Sequence, residues 1–145
     1  MNAAARGTRA GAGSLGVALA LVAGGALADD LRGADRFLCS TLEATVCFAD
    51  GACLLLPPEE LNIPQFIVVD AKAGKLETTE ASGERRETKA DTVRRADERI
   101  QLQGHEAGRA FSLIINETTG RATFASAADE RGVIVFAACT PAPGK

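Results

Sequence analysis

The hydrophobic pattern is clearest between Arg109 and Cys139. Phe111, Leu113 and Ile115 fall on one face of an extended chain, and Ala122 and Phe124 do so again after Asn-Glu-Thr-Thr-Gly. Period-two alternation broken by turn residues predicts a β-meander. Gly120 closes the first turn, where hairpin loops usually need a positive φ. The last run, Val133 to Cys139, is apolar on both faces. That predicts a strand in mid-sheet or one covered on both sides.

The same reading extends upstream. Thr41 to Phe48 sets Leu42, Ala44, Val46 and Phe48 against Thr41, Glu43, Thr45 and Cys47, a half-buried strand. Cys53 to Leu56 returns as a short strand. Pro58, followed by Glu59 and Glu60, suits a single helical turn. Phe66 to Asp70 and Lys75 to Thr79 flank an Ala-Lys-Ala-Gly turn. Residues 80–91 are the most polar stretch and read as a loop. Thr92 to Arg95 and Ile100 to Gln103 are short strands around a turn at 96–98, and 104–108 reads as the next turn. Asp29 to Leu38 is polar, with room for one helical turn. The class is all-β: one small antiparallel meander of about eight strands, closed or nearly closed as a barrel, with a two-sheet sandwich as the alternative. One short candidate strand is then irregular, 53–56 or 92–95.

The first 28 residues lack Asp and Glu, carry Arg6 and Arg9, and run through an apolar Leu15–Ala23 to Ala26-Leu27-Ala28. A positive start, a short apolar core and an A-x-A site describe a secretory signal peptide. The apolar run is shorter than the roughly 20 residues a membrane span needs. The expected organisation is a signal peptide at 1–28 and one β domain at 29–145, periplasmic or secreted, with no transmembrane segment in the mature chain. Removing 1–28 leaves 14 basic against 19 acidic residues, a net charge of −5. Such a balance disfavours nucleic acid, whose phosphates call for a basic face.

Export gives the cysteines a meaning. Four of them, Cys39, Cys47, Cys53 and Cys139, read as two disulfides in an oxidising compartment. There is no C-x-x-C pair, and His105 is the single histidine, so neither metal nor cofactor is expected. Cys47 and Cys53 flank Phe-Ala-Asp-Gly-Ala, a hairpin-sized loop whose ends lie side by side. Cys39 and Cys139 remain, tying the start of the first strand to the end of the last. In a closed antiparallel meander those ends meet only when the strand number is even, which favours eight.

Catalytic chemistry is thin. His105 falls on the polar side of its strand, where a solvent-facing turn histidine is the simpler account. The carboxylate pairs Glu59-Glu60 and Asp129-Glu130 sit in turns rather than in a cleft. Asn116-Glu117-Thr118 matches a glycosylation sequon but more simply builds a turn. The charged run Glu84, Arg85, Arg86 and Glu87 reads as a solvated loop, or more sharply as a partner-binding loop.

Gly108 to Leu113, Thr119-Gly120-Arg121, the closing Phe136 to Thr140, and Glu60 to Pro64 resemble a group of short secreted proteobacterial proteins with no known activity. The broad plan is also similar to periplasmic barrel-type inhibitors of lysozymes and metalloproteases. Those carry Tyr or Trp in their inhibitory motifs, and this chain has neither. The expected function is that of a non-enzymatic exported binding or structural domain, a monomer whose partner is an unknown protein or a small apolar ligand. The alternative is an inhibitor of an envelope or host hydrolase of lysozyme or protease type, acting through residues 80–91, with an enzyme as the third and least favoured reading.

Overall fold

A computed structural model describes residues 30–83 and 85–142. The stretch 1–28, expected from its sequence to be a signal peptide, and Glu84 of the charged run lie outside the described residues. The chain is all-β, with strands β1 (Arg36–Phe48), β2 (Cys53–Leu56), β3 (Phe66–Asp70), β4 (Lys75–Thr78), β5 (Glu87–Lys89), β6 (Thr92–Ala96), β7 (Arg99–Glu106), β8 (Arg109–Asn116), β9 (Arg121–Ala127) and β10 (Arg131–Pro141). The predicted helical turn appears as a 3₁₀ turn at Pro58–Leu61, and a second such turn lies at Glu80–Ser82. Among the described residues no helix is long and apolar enough to cross a membrane.

Every pairing is antiparallel, and nine strands form one curled path in the order β5-β4-β3-β1-β10-β9-β8-β7-β6. Its two ends, β5 and β6, are separated in the chain only by Ala90 and Asp91. Following the antiparallel steps around the path shows that both run in the same direction. They are therefore two halves of one strand that changes partner midway. Ala90 N–H still donates to Gly74 O on the β4 side (2.7 Å), while Asp91 N–H donates to Gln103 O of β7 (2.8 Å). Counted this way, the curled sheet has eight staves, and the irregular strand is β2, a spur paired only with the upper part of β1.

Both disulfides join the pairs expected from the sequence. Cys39 lies directly opposite Cys139 in the β1–β10 ladder and is bonded to it. Cys47 and Cys53 face each other across the β1–β2 hairpin and are bonded.

Three local expectations need correction. The β1 face changes phase at a bulge between Thr41 and Glu43. Cys39 and Ala44 therefore both point inward, while Leu42, at the bulge, is 58% exposed. Gly104 belongs to the interior of β7 rather than to a turn. It is buried opposite Phe111, and the turn is Ala107-Gly108, both at positive φ. Finally, β10 does lie in mid-sheet, but its outer face is open: Ile134 and Phe136 are about half exposed.

One end of the sheet is filled. Phe37, Ile100, Ile115 and Leu31 are fully buried there, Leu31 coming from the segment before β1 rather than from a helical turn. Each such side chain contributes roughly 1.5–3 kcal/mol by leaving water. Leu31 N–H is held by Glu117 O at 2.7 Å. Arg95 clamps the same end. It donates to the buried Glu117 carboxylate (2.8 Å), to Asp35 (3.0 Å) and to Ala34 O (2.6 Å). The pKa of Arg95 is raised, chiefly by the Glu117 hydrogen bond, so its guanidinium stays charged at any ordinary pH.

Candidate functional site

The other end is not filled. Inward positions of β1, β3, β4, β8, β9 and β10 enclose a cavity of about 190 Å³ that opens at that end. Its walls follow the period-two rule: Ile67 and Val69, Phe111 and Leu113, Ala122 and Phe124, then Val133, Val135 and Ala137. Phe111 and Phe124 stack across neighbouring strands, with ring centroids 5.9 Å apart and planes inclined by 21°. For scale, an apolar cavity of about 150 Å³ holds a benzene molecule. This one suits a single ring or a short alkyl chain, with room to project from the mouth.

One side of the mouth is formed by Leu61 to Pro64, the segment that leaves the 3₁₀ turn. Asn62 ends that turn at φ 55°, a left-handed conformation that Asn tolerates better than most residues. Thr41 fastens the segment to β1: its N–H donates to Gln65 O (2.9 Å) and its hydroxyl to Pro64 O (3.1 Å). Arg86 holds it from the other wall, donating to the Asn62 side-chain oxygen at 2.9 Å and to Asn62 O at 3.2 Å.

Arg109 and Arg131 stand on the rim and line the cavity. Both begin strands that run the same way, two places apart in the sheet. Each precedes an inward apolar series, Arg109-x-Phe111-x-Leu113 and Arg131-x-Val133-x-Val135. That repeated arrangement is legible in the sequence, yet Arg109 reads there only as the start of the apolar pattern, and Arg131 falls in the break before the run that begins at Val133. Glu106 faces Arg109 across the β7–β8 hairpin.

A comparison with protein-family models, with curated proteins and with solved structures finds no match to this chain.

The charged run is less of a loop than its composition suggests. Arg86 is tied to Asn62, and Glu87 belongs to β5, where Lys75 reaches it at 2.9 Å. That hydrogen bond is the main cause of a raised Lys75 pKa. Arg85 projects into solvent and pairs with Glu80 at 2.9 Å, both 86% exposed. Arg86 thus joins the cavity mouth, whereas Arg85 points away from it.

His105 sits on the outer face of β7, its Nδ1 2.7 Å from an Asp91 carboxylate oxygen. Both side chains are largely exposed, and the pair lies beside the strand change at Ala90-Asp91. Asn116 builds its turn, its side-chain oxygen accepting from the N–H groups of Thr118 and Thr119, each at 3.0 Å, and from the Thr118 hydroxyl at 2.8 Å. Among the described residues no three His, Cys, Asp or Glu side chains are grouped so as to hold a metal ion.

Proposed function

We propose that this is an exported, non-enzymatic binding domain whose barrel interior takes a small apolar ligand. The observation that carries the reading is the cavity of about 190 Å³, walled by inward aliphatic and aromatic side chains and open to solvent. Mostly apolar concave sites with a few polar groups at the edge are the usual form of small-molecule pockets. The filled half of the barrel, the Arg95 clamp and the Cys39–Cys139 bond hold the walls in place without the ligand. The walls are therefore preorganised, which spares binding the entropy of ordering them. Two disulfides fit residence in an oxidising compartment.

Isothermal titration of the purified protein with 1-octanol tests the reading. Saturable one-to-one binding is expected. The variant Ala137→Phe, which places a ring inside the cavity, should lose that binding while keeping a cooperative thermal transition. Equal binding by a folded Ala137→Phe protein would place the alcohol elsewhere and contradict the proposal.

A further inference from the structure

The cavity is apolar but its rim is charged. Among the described residues five ionisable side chains contribute to the lining: Glu77, Arg86, Glu106, Arg109 and Arg131. Glu77 lies beside Arg36, 3.9 Å away. Of the remaining four, three are cations, in a chain whose net charge is −3. Arg86 is engaged with Asn62.

Arg109 and Arg131 differ from it. Alternation with Phe111 and Leu113, and with Val133 and Val135, puts both on the inward side of their strands. Both flank the end of β9. Ala127 pairs with Ala110 on one side and Gly132 on the other, and Ala128 N–H donates to Arg131 O at 3.0 Å. The two arginines are thus separated by two interstrand spacings, about 10 Å between backbones. Long side chains converging from that separation can reach one small anion above the cavity. Among the described residues neither guanidinium makes a hydrogen bond or ion pair; even Glu106, the cross-strand partner of Arg109, is not within ion-pair distance. A guanidinium offers a planar fork of donors matched to a carboxylate.

Resting on the reading of the barrel interior as a ligand site, we propose that its ligand is an anionic amphiphile: a carboxylate head held by Arg109 and Arg131, with a single-ring or short alkyl body inside the cavity. With Glu77 beside Arg36, three rim cations stand against the single carboxylate of Glu106, so the rim favours an anionic head and a cationic head gains no matching site.

The test compares octanoate with 1-octanol, which have the same number of carbon atoms, by isothermal titration at neutral pH and low salt. Octanoate is expected to bind at least tenfold more tightly, and the ratio should shrink as salt is added. In the double variant Arg109→Gln/Arg131→Gln the ratio should fall to about one. Equal affinities in the unmodified protein, or a preference that survives the double substitution, would overturn the assignment of the head-group site while leaving the apolar cavity standing. Binding of neither compound would overturn the cavity reading and this assignment with it.

Discussion

Phe111 lies over Gly104, its cross-strand partner. A Cβ added to Gly104 would stand 2.8 Å from Phe111 Cζ and 3.2 Å from the Ala90 Cα. An aromatic ring covering a glycine on the neighbouring strand fills the space that the missing side chain leaves and protects the backbone there. Here it also couples two features of the fold. Phe111 walls the cavity, and Ala90 marks the point where one strand leaves β4 and joins β7.

Gly104→Ala is therefore expected to destabilise the protein, although alanine is the better residue in an ordinary strand. Phe111 must move, and the Ala90 backbone cannot easily give way. Overpacking of this kind costs about 1–3 kcal/mol. Urea unfolding checks it: the midpoint should fall with an unchanged slope. An unchanged midpoint would mean that the Phe111 ring is free to rotate aside.

The two disulfides should contribute unequally. Cys39 and Cys139 are 100 residues apart in sequence, Cys47 and Cys53 only 6. In the chain-entropy account the first closure constrains the unfolded chain by about 4.7 kcal/mol and the second by about 2 kcal/mol. The pair substitution Cys39→Ala/Cys139→Ala should lower the Tm markedly more than Cys47→Ala/Cys53→Ala. Burial reinforces the order, since Cys39 and Cys139 sit in the core and Cys53 is exposed.

Asp30 offers a pH test at the start of the described chain. Its carboxyl is lowered from 3.8 to about 2, first by the Arg32 side-chain hydrogen bonds and then by the Arg32 N–H. The folded pKa is depressed, so the contribution of this contact is present above the ordinary value and lost as pH falls through about 2. Following the Asp30 side-chain carbon by NMR should give a midpoint near 2. Arg32→Ala should return the midpoint toward the ordinary carboxylate range.

Much of the fold was legible because alternation and turn chemistry are local. Phe111, Leu113, Ile115 and Ala122 point inward as their spacing requires, and the Asp-Gly loop places Cys47 against Cys53. What was not legible depends on distant partners. A single bulge reverses the phase of β1, so the expected apolar face of Leu42, Ala44, Val46 and Phe48 is split between core and solvent. Gly104 looks like a turn residue until Phe111 is seen against it. Residues 87–89 look like a loop because their pairing with β4 rests on backbone hydrogen bonds, which polar side chains do not advertise. The candidate site was hidden for a related reason. Each of its walls reads as ordinary core, and only the curvature of the sheet leaves one end unfilled.

The central claim is that the ligand enters the barrel rather than resting on the exposed apolar face outside it. The two surfaces share strands but not side chains: Leu113, Val133, Val135 and Ala137 line the interior, while Ile114, Ile134 and Leu55 are exposed. Methyl-resolved NMR during titration with 1-octanol separates them. The account predicts saturable shifts and intermolecular contacts at the methyl groups of Leu113, Val133, Val135 and Ala137. Shifts confined to Ile114, Ile134 and Leu55, or none at all, would contradict it.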